Sequence, residues 1–217
     1  MIHAQDPRWL KFFERHFSWI ALPGISIIFV TIQAFGFFLV MSDGVWMERL
    51  ALIPSLALHG EPWRIITFLA MPLSMSPLWT LFSLWFLYSI LNSIEAEWGA
   101  FKTTFYVLIS ITLTILFSLV TGYPVIQVSD FVSTLFLAVA ALFPDQEIRI
   151  YMVFPIKMKL LGWLTLGFLV LRLFQGSGME RLFLLTLYSN YLLFFGPSLI
   201  ATLKNWKRKR DYRKNFK

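Results

Sequence analysis

The chain has 217 residues, 58% of them hydrophobic, 18% aromatic and 14% charged, with a mean hydropathy of +0.68. A soluble domain carries roughly 25% charged residues, so too few polar groups exist here to cover a globule, and lipid is the solvent for much of the surface. The formal charge is +7, and the absence of cysteine excludes a disulfide framework, a thiolate metal site and a cysteine nucleophile.

Residues Pro7–Ile20 place Trp9, Phe13, Phe17 and Ile20 at helical spacing, with Lys11, Glu14 and Arg15 on another side. That pattern predicts an amphipathic helix at the membrane surface, making residues 1–19 a first unit that anchors the chain or, in the alternative, docks a partner. No small-residue cleavage site follows Met41, so the first apolar run is expected to be kept as a span. A span needs about 20 mostly apolar residues. Six runs approach that length: Ile20–Met41, Pro77–Ile94, Phe101–Val120, Gln127–Phe143, Leu160–Phe174 and Leu182–Leu203. The expected fold class is therefore an all-α polytopic membrane protein with six transmembrane helices over residues 20–203. With both termini in the cytoplasm, fifteen of the nineteen Lys and Arg fall on cytoplasmic segments; Arg49, Arg64, Arg172 and Arg181 lie outside. The positive-inside rule selects that orientation. Gln33 and Asn190 are lone mid-span polar residues, expected to hydrogen-bond between helices.

The longest outer segment, Ser42–Ser76, contains Val45–Ile53, whose composition suits a short helix in the outer leaflet. Irregular backbone at membrane depth must be satisfied by protein or water. Arg64, with five donors on a planar fork, suits clamping loop carbonyls, and Trp63 suits the headgroup level. Glu95 and Glu97 close the second run and are candidates to pair with Lys102. Asp130 sits about one turn into the fourth run, where a helix N-terminus stabilises an anion; the alternative is a polar network with Asn190 or Tyr188. Phe143–Lys159, bracketed by Pro144 and Pro155, reads as a strand-like or interfacial connector. Residues 204–217 hold eight basic residues and one acid, a third unit suited to anionic lipid or to fixing topology. The charge is membrane-proximal and no nucleic-acid-binding fold accompanies it, so no nucleic-acid partner is expected. No phosphate-binding loop, H-E-x-x-H or carboxylate–histidine cluster occurs, so neither cofactor nor metal is expected.

The stretch Gly60–Pro72 (GEPWRIITFLAMP) with its Trp63-Arg64 pair, and Ser93–Phe101 (SIEAEWGAF) with Glu95, Trp98 and Gly99, resemble the first-loop Trp-Arg motif and the Glu/Gly ending of the second helix in the rhomboid superfamily. The resemblance covers roughly residues 20–203. It implies an intramembrane protease fold in which a serine, in a Gly-x-Ser-Gly at the start of the fourth span, is activated by a histidine in the sixth. Here the fourth run begins Gln127-Val128-Ser129-Asp130-Phe131-Val132-Ser133, and no glycine occurs between Tyr123 and Leu161. The sixth contains no histidine; His3, His16 and His59 all lie upstream. A serine without a base is a poor nucleophile, so Ser129 and Ser133 are expected to be degenerate nucleophile positions. The resemblance then points to the inactive branches, derlins and inactive rhomboids, which are thought to bind transmembrane clients laterally; this is an analogy of fold. The alternatives are an unorthodox intramembrane serine protease and, further off, a small transporter or channel subunit, for which neither an inverted repeat nor several inward charges are present.

Overall fold

The computed structural model describes residues 8–150 and 154–215, with side chains for 9–146, 157–197 and 204. Ten α-helices occur among them: α1 (Arg8–Phe17), α2 (Ile25–Ser42), α3 (Val45–Leu50), α4 (Pro54–Leu58), α5 (Arg64–Thr67), α6 (Pro77–Trp98), α7 (Ala100–Thr121), α8 (Ser129–Leu142), α9 (Met158–Gln175) and α10 (Gly178–Asn215). Strands β1 (Glu147–Ile150) and β2 (Phe154–Lys157) form one antiparallel hairpin, Glu147 opposite Lys157 and Ile150 opposite Phe154. Apart from that hairpin the architecture is an all-α polytopic membrane fold.

Four helices, α2, α6, α7 and α9, are long and apolar enough to cross a bilayer by length and composition among the described residues; α8 is apolar but only 14 residues long. The backbone of α10 stays helical through Pro197 and past residue 203 to Asn215, with no break before the basic tail. All six of these helices pack together. α8 is the hub, flanked by α6, α9 and α10; α2 lies on α6, and α7 packs on α6 and α10.

The short hub helix follows from its entry. The segment preceding α8 is drawn into the loop face, where Leu52 and Val125 exchange backbone hydrogen bonds of 3.0 and 2.9 Å. That pairing satisfies two backbone groups that lipid could not satisfy. α7 carries a buried row of small polar residues, including Thr103, Ser110, Thr114 and Ser118, and meets α10 at Ser110, which accepts from Asn190. The row turns its hydroxyls onto protein groups: Thr114 donates to the Ser110 carbonyl at 2.8 Å and Ser118 to that of Tyr123 at 2.6 Å.

Two glycines are dictated by geometry. Gly99 joins α6 to α7 at φ 83°, a conformation disfavoured for any residue with a Cβ. Gly36 lies where α2 crosses the turn Phe68–Ala70, and a Cβ there would meet the Ala70 carbonyl oxygen at 1.7 Å. At the face holding α1, an aromatic cluster joins four helices: Trp9 meets Phe194 at 5.4 Å, Phe13 meets Phe105 at 5.4 Å, and Trp98 stacks on Phe195 at 5.1 Å. α1 buries Leu10 and partly covers Trp9 and Phe13, while Phe12, Phe17 and Trp19 remain exposed.

Candidate functional site

The loop between α2 and α6 is built around Arg64. The residue is 3% exposed; Nε donates to Glu61 Oε2 at 2.6 Å, and Nη1 donates to the carbonyls of Ala51, at 3.0 Å, and Glu48. One planar guanidinium thereby ties α5 to the end of α3 and to the strand-like turn carrying Leu52. Trp63, directly before it, is exposed, and on α3 the Arg49 guanidinium lies 5.4 Å from the centre of the Trp46 ring. Gln33 extends the same framework inward: buried on α2, it donates to the Leu69 carbonyl at 2.5 Å.

At the opposite face Glu95 acts as a cap for another helix. Its Oε1 accepts the Gly24 N–H at 2.8 Å, at the start of α2, where four backbone donors lack intrahelical partners. Thr104 Oγ1 accepts the Leu22 N–H at 3.1 Å beside it. Trp98 and Gly99 complete this corner, the one by aromatic packing and the other by its backbone conformation.

The start of α8 is where any serine chemistry would lie. Ser129 Oγ donates to Gln127 Oε1 at 3.3 Å. Ser133 Oγ donates to the Ser129 carbonyl at 2.8 Å, and Tyr188 of α10 lies nearby. A phenol with a reference pKa of about 10 is no base at neutral pH. His16 and His59 use Nδ1 on the carbonyls of Phe12, at 2.9 Å, and Ser55, at 2.7 Å, and neither bonds to Ser129 or Ser133. His3 lies outside the described residues.

Asp130 does not bond to Asn190, which corrects that half of the alternative raised from the sequence. Its partner is Arg172, near the end of α9. Arg172 Nη1 donates to Asp130 Oδ1 and Nη2 to Oδ2 at 3.5 Å, while Nη2 also reaches Glu180 Oε1, on α10, at 2.8 Å. Three helices thus meet in a carboxylate–guanidinium–carboxylate cluster. Asp130 is 13% exposed in its side chain and Arg172 44%. Burial, together with the Glu180 and Asp130 carboxylates, pushes the nearby Tyr123 hydroxyl up from the ordinary phenol range. Asn190 belongs to a separate network: its Nδ2 donates to the Tyr106 carbonyl at 2.9 Å and to Ser110 Oγ at 2.6 Å, bonding α10 to α7. No group of His, Cys, Asp and Glu able to hold a metal occurs among the described residues.

A bundle of apolar helices around a short central one, with its irregular backbone tied down by buried polar groups, defines an integral membrane protein of the polytopic helical class. The rhomboid domain model matches residues 59–182, from the Arg64 loop through the cluster at the ends of α8, α9 and α10, and the chain belongs to that family. No curated protein and no solved structure matches it.

Proposed function

We propose that this rhomboid-family protein is catalytically inactive and receives transmembrane segments of other proteins from the side, along α8 where α6 and α9 flank it. The observation that carries the reading is the state of the serine hydroxyls: Ser129 and Ser133 are turned onto Gln127 and a helix carbonyl, and the adjacent carboxylate, Asp130, is held by Arg172. Acyl transfer requires a positioned base, and the histidines in the sequence stand at positions 3, 16 and 59. Lateral access is supported by α9: beyond Gly162 none of its residues is fully buried, and Leu166, Leu169 and Leu173 pack half-buried against the core. The loop carrying Trp46 and the exposed Trp63 packs against α2 and supplies an element able to disturb lipid order. In this reading both termini lie in the cytoplasm of a bacterial cell, with anionic lipid beside the basic end of α10.

Two measurements test it. A fluorophosphonate probe is expected to leave the full-length protein unlabelled, and a reporter transmembrane substrate uncut; labelling or cleavage that Ser129→Ala or Ser133→Ala abolishes overturns inactivity. Photo-crosslinkers at Phe86 and Phe168, in native membranes, are expected to capture other membrane proteins. Lipid adducts alone would remove client binding.

A further inference from the structure

α6 shows lipid a face that is not apolar. Leu78, Trp85 and Asn92 recur every seven residues, and Leu81 and Tyr88 repeat beside them at the same interval; all five are exposed, Trp85 to 59% and Tyr88 to 40%. At 1.5 Å per residue, Trp85 lies roughly 12 Å and Tyr88 roughly 16 Å along the helix from Pro77. Asn92 lies roughly 9 Å from the Trp98 end, so all three fall within a hydrocarbon layer about 30 Å thick. Ser89, on the same face, returns its hydroxyl to the Trp85 carbonyl at 2.9 Å. Among the described residues the Trp85 indole N–H, the Tyr88 hydroxyl and the Asn92 amide have no hydrogen-bond partner; the contact recorded for Trp85 is with the Phe82 ring, 6.0 Å between centroids. Lipid tails offer no partner either. Gln33 and Asn190 set the contrast, since both turn inward and bond to neighbouring helices.

We infer that this stripe is an interface between two copies of the chain, with α6 packed parallel to its symmetry mate about an axis normal to the membrane. A seven-residue repeat of contact positions is the pattern of a left-handed helix pair crossing at about 20°. Asparagine is donor and acceptor at once, so Asn92 can bond to Asn92 of a second copy, and a single asparagine at a core heptad position fixes register and favours two strands. Fixed topology puts the second copy's Asn92 at the same depth and in the same orientation, whereas an unrelated helix would need a polar group matched in depth. The opposite side of α6, with Leu87, Ile90, Leu91 and Ile94, is buried in the bundle, so such a dimer forms without unpacking it.

The absence of cysteine makes the test direct. In native membranes, Leu78→Cys and Leu81→Cys are expected to give disulfide-linked dimers on mild oxidation. Trp79→Cys, exposed but off the stripe, and Leu164→Cys on α9 are expected to stay monomeric. Adding Asn92→Leu to Leu81→Cys should weaken dimerisation roughly three- to tenfold, the range of one interhelical hydrogen bond in a bilayer, while Asn92→Gln should retain it. Equal crosslinking on α6 and α9, no dimer at either stripe position, capture of a different protein at Leu81→Cys in place of a second copy, or an Asn92→Leu variant that dimerises undiminished would each overturn the inference.

Discussion

Two arginines near the loop face, Arg64 and Arg172, use the same side chain in opposite settings. Arg64 is buried within one segment, and its partners lie within sixteen residues of it: Glu61, Ala51 and Glu48. Arg172 stands at the rim, and its carboxylate partners come from the two other helices that end there, one 42 residues away. The first replaces water for carbonyls that have no access to it, so it is part of the loop's structure. The second links helices that already pack by other means. Location, more than chemistry, therefore decides what each guanidinium is worth.

The largest effect is expected at the buried member. Arg64→Ala removes the donors from two carbonyls and takes the cation from Glu61, itself 35% exposed, which should cost about 2–4 kcal/mol of stability, mostly from the carbonyls left unpaired. Thermal or SDS-induced unfolding of the purified protein in detergent measures it. A loss under ~1 kcal/mol would mean that packing of Leu50, Leu52 and Phe68 holds the loop by itself. Arg64→Lys sharpens the point: an ammonium is a single point donor and cannot span a carboxylate on one edge and carbonyls on the other. It should recover less than half of the loss, and full recovery would show that charge alone matters there.

The inner clamp was readable from residue chemistry because its parts are close in sequence. A charged fork in an irregular apolar loop has few uses besides carbonyls. The apolar helices were readable for a similar reason, since apolar length is a local property: four of the six expected runs form helices long and apolar enough to cross a membrane, and the run expected at Gln127–Phe143 is helical from Ser129 to Leu142 because the residues before it pair with Leu52. The rim cluster was not seen. Asp130, Arg172 and Glu180 are each lone charges in unrelated sequence contexts. Their meeting follows only when alternation of helix direction is combined with position: α8 starts, α9 ends and α10 starts on one face. The same reasoning would have paired Glu95 with the start of α2, 71 residues away. Asn190 went to α7 instead of Asp130 because its position on α10 lies toward Tyr106 and Ser110, a matter of helix rotation that composition cannot supply.

The smallest effect is expected at the rim, and it decides whether the comparison stands. Arg172 is 44% exposed, so solvent screens its pairs, and Arg172→Ala should cost about 1 kcal/mol or less, falling further in high salt. The two carboxylates also make the site tolerant from one side. Asp130→Asn leaves Glu180 bonded to Arg172 and should cost less than Arg172→Ala, which strips both acids of their cation and leaves the well-shielded Asp130 with only the α8 N-terminus to balance it. A double-mutant cycle over Arg172→Ala and Asp130→Asn measures the coupling, expected at ~1 kcal/mol or below. Faster amide exchange confined to the end of α9 should accompany it, because beyond Gly162 that half is held against the core by the half-buried Leu166, Leu169 and Leu173 and by no fully buried residue. If Arg172→Ala instead destabilised the whole bundle as much as Arg64→Ala, the rim cluster would be a structural keystone and the distinction between the two arginines would be lost.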